Sequence, residues 1–114
     1  MMSDEARQRL HDAYQTLYDA LDGAYWSASA GAKDRILTVK DGVSSVLAQI
    51  DAEDLASRDG AFDELAKAIA DQNLELDRLH AALGSLVLEV ASATQVASGI
   101  DAVLEAAEAA FGTP

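Results

Sequence analysis

The chain has 114 residues, half of them hydrophobic but only 5% aromatic, and a formal net charge of −12 at pH 7. It contains no cysteine, which excludes disulfides, thiolate metal sites and cysteine catalysis. Phosphate repels so acidic a chain, so we expect no direct binding to nucleic acid and no binding to a membrane surface.

The composition favours an all-α fold. Helix-forming residues such as alanine and leucine are abundant, and the only proline, Pro114, is the last residue. A chain of this length is expected to form one domain. We therefore predict a single helical domain over residues 1–114, either a helical bundle or an antiparallel coiled coil.

The first half of the chain predicts a short helical hairpin. Apolar residues recur at helical spacing in its first segment, which predicts a helix over about 4–28. The second segment predicts a helix over about 32–50, because apolar residues follow each other in steps of three and four: Ile36, Val39, Val43, Val46 and Ile50. Gly42 weakens this second helix or lets another backbone come close.

The second half carries the most regular pattern. Over residues 62–111, apolar positions follow in steps of three and four, and Gln72 is the only polar residue among them. This unbroken phase predicts one long helix over about 60–97, continuing or kinked to 111. Gly84 and Gly99 are the two places where it could break, and a break at Gly84 would give an up-down four-helix bundle.

Such a long helix would extend beyond the surface that the hairpin can cover. At 1.5 Å per residue an uninterrupted helix to 111 would be about 75 Å long, roughly twice the length of either hairpin helix. The uncovered part predicts a homodimer, with a seam formed by Gln72, Leu76, Leu79, Leu83, Leu86 and Val90. Within that seam Gln72 would fix register and oligomeric state.

No group of residues points to catalysis or to a metal. Helical carboxylate sites use repeated Glu-x-x-His motifs, whereas the only near match is Asp77-x-x-His80, and His11 is the only other histidine. No serine lies in a Gly-x-Ser-x-Gly elbow, and no glycine-rich phosphate loop is present. We therefore expect a protein that is not an enzyme, with no catalytic residues, no metal and no cofactor.

Aromatic residues are concentrated in the first predicted helix. Its leucines can fill the core stripe without Tyr18 or Trp26, so these two side chains are expected to protrude. Tyrosine and tryptophan are frequent binding hot spots. Tyr18, Tyr25 and Trp26 therefore form either a rim that covers the end of the bundle or a patch that contacts a partner.

Acidic residues are concentrated in the middle of the chain. Residues 51–80 carry nine acids and three bases, and no lysine or arginine follows Arg78. This pattern indicates either a solvated surface or an acidic face for a basic partner. The candidate contact residues are Asp59, Asp63, Glu64, Asp71, Glu75 and Asp77.

The favoured function is a non-enzymatic protein-binding module. Its expected form is an acidic inhibitor, antitoxin or immunity-type protein that occludes a basic partner surface, for example one that handles nucleic acid. The alternative is a homo-oligomeric coiled-coil scaffold or a helical chaperone. The acidic N-terminus is unlike a signal peptide, no segment approaches the roughly 20 apolar residues of a membrane span, and we expect a cytoplasmic protein.

Overall fold

The computed structural model describes residues 4–52, 60–86 and 90–111, and every regular element in these ranges is helical. These ranges contain four α-helices: α1 (Asp4–Ser27), α2 (Ala30–Ile50), α3 (Ala61–Ala82) and α4 (Val90–Phe111). A short 3₁₀ helix, Leu83–Ser85, follows α3. The prediction of an all-α helical bundle is confirmed.

The hairpin formed by α1 and α2 follows the sequence pattern closely. Both helices begin and end within two residues of the predicted bounds. Their apolar stripes face the core, because residues three and four apart share one side of a helix. The buried side chains are Leu10, Tyr14, Leu17, Leu21 and Ala24 of α1, and Ala32, Ile36, Val39, Val43, Val46 and Ile50 of α2.

The long C-terminal helix predicted over 60–97 is wrong, because the chain leaves the α-helix after Ala82. Gly84 has low helix propensity, and the Ser85 hydroxyl donates a hydrogen bond to the Ala82 carbonyl at 2.8 Å. Leu86 is already extended, with φ −84° and ψ 143°. The longest dimension of the molecule is accordingly 43 Å rather than that of a single rod.

The four helices pack in an antiparallel ring. Helix α1 packs against α2 and α4, and α3 packs against the same two neighbours on the opposite side. The antiparallel order follows from two contacts along each interface, since a rising residue number in one helix meets a falling number in its neighbour. The contacts are Arg7–Ile50 and Asp22–Lys40 between α1 and α2, Gly42–Gln72 and Arg35–Arg78 between α2 and α3, Phe62–Phe111 and His80–Asp101 between α3 and α4, and Arg9–Glu105 and Leu17–Gly99 between α1 and α4.

Gly99 is a point of close approach between α1 and α4, and α4 continues through it without a break. It is buried inside α4, and a Cβ atom at this position would lie 3.2 Å from Leu17 Cα and 3.1 Å from Leu17 Cδ1. Absence of a side chain at Gly99 therefore lets the two backbones pack closely.

The buried face of α4 does not coincide with the predicted one. The sequence pattern placed Ala97 and Leu104 in the stripe, but both are only partly buried, and the preceding residues Val96 and Val103 are 1% and 0% exposed. The shift arises because α3 and α4 are separate helices, so α4 does not inherit the phase of α3. Helix α4 buries Val96, Gly99, Ile100, Val103, Ala106 and Ala107.

The residues predicted to form a seam between two copies pack mostly inside one chain. Gln72, Leu76 and Leu79 are buried in α3, while Leu83 and Leu86 are partly buried against the same core. Val90 is 83% exposed and does not pack against this core. The homodimer stays a prediction, now without the uncovered helix that suggested it.

The polar residue Gln72 has a role within the chain that the sequence did not reveal. Its side-chain Nε2 donates to the Val39 carbonyl at 3.5 Å, and its amide occupies the space where a Cβ at Gly42 would lie. Gly42 thus makes room for a side chain of α3, whereas one of the two expectations was that it would admit another backbone.

No helix in the described part is long and apolar enough to cross a bilayer.

Candidate partner-binding surfaces

The aromatic patch, which comprises Tyr18, Tyr25 and Trp26, lies on α1 beside α2. Trp26 is 72% exposed, whereas Tyr18 and Tyr25 are partly buried. The rings of Tyr25 and Trp26 meet edge to face, with centroids 5.3 Å apart and an angle of 85°. The expectation of a protruding side chain therefore holds for Trp26 and is wrong for Tyr18.

Two lysines of α2, which the sequence pattern did not single out, lie over the rings of the tyrosines in this patch. Lys33 Nζ lies 5.3 Å from the Tyr25 ring centroid, and Lys40 Nζ lies 5.1 Å from that of Tyr18. Lys40 also forms a 2.6 Å ion pair with Asp22, and this hydrogen bond raises the pKa of the Lys40 ammonium group. A charged lysine above a ring face is a favourable cation–π contact, and Trp26 is the member of the patch that is mostly exposed.

The predicted acidic contact residues of α3 are all exposed, but they do not share one face: Asp63, Glu64, Asp71, Glu75 and Asp77. Helical spacing places Glu64, Asp71 and Glu75 on the flank beside α2, because they are separated by seven and four residues. Asp77 lies on the opposite flank, where it lines a groove with α4. Asp59 lies outside the described residues.

The bases of α3 lie among the acids of the α2 flank. Arg78 Nη1 forms a 3.0 Å ion pair with Glu75 Oε1, and its carbonyl accepts a hydrogen bond from Arg35 of α2. Lys67 follows Glu64 by three residues and precedes Asp71 by four, so it lies on the same side of the helix. This flank therefore has mixed charge, whereas the flank beside α4 carries no lysine or arginine.

Charge is distributed unevenly between the two halves of the bundle. The described hairpin, residues 4–52, has eight acids and five bases, a net of −3. Helices α3 and α4, hereafter the acidic half, have eight acids and two bases, a net of −6. Helix α4 alone has three acids and neither lysine nor arginine. An approaching basic surface therefore meets its strongest attraction at the acidic half.

A groove of about 440 Å³ runs between α3 and α4, and we call it the α3–α4 groove. Its apolar lining includes Ile69, Leu104 and Phe111. On the α3 side it is also lined by Ala66 and Ala70, whose small side chains fill little of the groove. The sequence pattern could not reveal this groove, because one continuous helix would never have placed these two segments side by side.

Each histidine lies beside one or two aspartates. His80 Nε2 lies 3.6 Å from Asp101, and His11 lies near Asp12 and Asp51. Within the described ranges no three histidine, aspartate or glutamate side chains are grouped closely enough to hold a metal ion. The His80–Asp101 contact joins α3 to α4, and the His11–Asp51 contact joins α1 to the end of α2.

Comparison with protein-family models, with curated proteins and with solved structures gives no match for this chain. Its function therefore has to be inferred from its own surfaces. Two of them are distinctive: an acidic half that contains an apolar groove, and an aromatic patch from which a single tryptophan projects.

Proposed function

We propose that this chain is a non-enzymatic protein-binding module that uses its acidic half to occlude a basic surface of another protein. An acidic inhibitor, antitoxin or immunity-type protein has this mode of action, and a surface that handles nucleic acid is one example of such a basic surface. A cytoplasmic location belongs to the same proposal.

The observation that carries the proposal is the imbalance of charge between the two halves of the bundle. The hairpin offsets most of its acids with bases that are engaged inside the chain, such as Arg7, which donates to the carbonyls of Ile50 and Ala52 at 2.7 and 2.9 Å. Helix α4 contains no lysine or arginine of its own, and of its three acids Glu105 is paired with Arg9 of α1 at 3.3 Å. Attraction between this surface and a basic partner would raise the association rate and would weaken as salt is added.

The test is co-purification with partner proteins from the source cells, using three tagged forms of the chain. The first is the wild type, and the second is Asp63→Asn with Asp71→Asn in the acidic half. The control is Asp34→Asn with Asp41→Asn on α2, which changes net charge equally. All four acids are exposed, so none of the forms should unfold.

A basic protein captured by the wild type and by the α2 control, but lost from the acidic-half variant and at about 500 mM salt, would support the proposal. Equal retention by all three forms, or capture that is indifferent to salt, would contradict it.

The alternative function, a homo-oligomeric scaffold or helical chaperone, has less support. It depended on a seam open to a second copy, whereas Leu76 and Leu79 are covered inside the chain. Sedimentation equilibrium over a wide range of concentrations would distinguish the two functions. A single monomeric species would remove the scaffold, and large assemblies that grow with concentration would favour it.

A further inference from the structure

We infer that the α3–α4 groove binds one amphipathic helix of a partner protein, with apolar residues on its inner face and lysine or arginine along both edges. This inference rests on the proposed function and deepens it, since it names the element of the basic partner that docks and the place where it does so.

The shape of the groove suits a helix. Its walls are two antiparallel helices, so a third helix can lie along the valley between them and insert residues spaced three and four apart. Side chains at Ala66 and Ala70 of α3 and at Leu104 and Phe111 of α4 fall on such ridges, because each pair is separated by four or seven residues. The apolar lining gives those inserted residues a surface to bury.

Packing between α3 and α4 leaves this valley open. Helices α1 and α4 pack closely at Gly99, whereas α3 and α4 contact each other through large side chains such as Phe62 and Phe111, whose ring centroids are 5.3 Å apart. The distance between two helix axes increases with the size of the side chains at their contact.

Charge on the rims identifies the partner. Asp77 lines the groove from α3 and Glu108 lines it from α4, and both side chains are exposed. The two bases of α3, Lys67 and Arg78, do not line the groove. A helix that places lysine or arginine on both sides of an apolar stripe therefore meets an acid on each edge.

A second copy of this chain is a poorer occupant. Each copy carries a net charge of −12, so two copies repel each other. Helices α1, α3 and α4 have more acids than bases and would bring further carboxylates toward Asp77 and Glu108, whereas α2 has two acids and three bases. Like charges brought together in this way oppose association.

The test measures fluorescence anisotropy with a labelled synthetic helix of about 18 residues, which has leucine at positions spaced three and four apart and lysine on both flanks. A peptide of the same composition in scrambled order is the control probe. The groove is blocked by Ala70→Tyr, and Ala48→Tyr on the exposed surface of α2 is the matched control. Rim charge is removed by Asp77→Asn with Glu108→Gln, with Asp34→Asn and Asp41→Asn as the matched pair. Circular dichroism establishes that each variant is folded.

We expect one peptide to bind per chain, with at least tenfold lower affinity for Ala70→Tyr and roughly tenfold lower affinity for the rim variant at about 50 mM salt. Both control variants should bind like the wild type, and the scrambled peptide should bind at least tenfold more weakly. Equal binding of ordered and scrambled peptides, or no effect of Ala70→Tyr, would overturn the inference that the α3–α4 groove binds an amphipathic helix.

The same measurements separate this inference from the proposed function. Salt-sensitive binding that depends on the acids of the acidic half but ignores the Tyr block would leave the proposed function standing without the groove. Binding that ignores the acids of α3 and α4 altogether would remove both. Dimers that form without peptide and disappear in Ala70→Tyr would assign the groove to a second copy and overturn the inference.

Discussion

The close contact between α1 and α4 predicts that two glycine-to-alanine changes have opposite effects on stability. In Gly23→Ala the new methyl group meets nothing within 4 Å, because Gly23 is exposed. Alanine is better than glycine in a helix interior by about 1 kcal/mol, so this change should raise the free energy of unfolding by about that amount.

In Gly99→Ala the same gain in helix propensity is offset by crowding. The added Cβ would lie 3.2 Å from Leu17 Cα, and this backbone atom cannot turn away as the end of a side chain can. Overfilling a packed core costs about 1–3 kcal/mol. The net change should therefore lie between about zero and a loss of 2 kcal/mol, which places Gly99→Ala about 1–3 kcal/mol below Gly23→Ala.

The assay is urea unfolding followed by circular dichroism, with the wild type and both variants measured at the same protein concentration. The slope of free energy against urea should be unchanged, since neither change alters the surface exposed on unfolding. In thermal unfolding a difference of 1 kcal/mol should appear as roughly 4 °C in Tm. If Gly99→Ala stabilises the protein as much as Gly23→Ala does, α1 and α4 do not approach each other as described.

Three further changes test other parts of the molecule. Burial raises the pKa of the Tyr14 phenol, so the unfolded chain loses its proton first above about pH 10 and stability should fall with rising pH by about 1.4 kcal/mol per unit. Urea unfolding between about pH 9 and 11 should give a shallower fall in Tyr14→Phe, and equal slopes would argue against a buried phenol. Gln72→Leu should raise Tm because it removes a buried amide whose bond to the Val39 carbonyl is long, at 3.5 Å, and a lower Tm would mean that the amide is worth more than its burial costs. Trp26→Ala should change the free energy of unfolding by less than about 0.5 kcal/mol, as urea titration can measure, and a larger loss would mean that Trp26 packs on the bundle.

Periodicity predicted the helices of the hairpin because one apolar stripe faces one core in each of them. The same reasoning failed at the turn after α3. Residues 83–86 continue the stripe with leucine at both ends, so the apolar pattern runs across the turn. The structural signal was the local pair Gly84-Ser85, whose low helix propensity and side-chain hydrogen bond end the α-helix.

The candidate surfaces were predictable only in part. Exposure of Trp26 followed from its position off the core stripe, and exposure of the α3 acids followed from their spacing. The α3–α4 groove could not be found in this way, because it depends on which helices become neighbours. Neither could the contacts of Lys33 and Lys40 with tyrosine rings, which depend on the register between α1 and α2.

The backbone contact at Gly99 also bears on the order of events during synthesis. Leu17 reaches its partner on α4 only after more than eighty further residues have been added. At the usual rate of translation this takes roughly 4–17 s, and until then the apolar face of α1 lacks its contact with α4. A nascent chain that stalls before residue 90 would thus present Leu10, Leu17 and Leu21 to the chaperones that bind unfinished proteins.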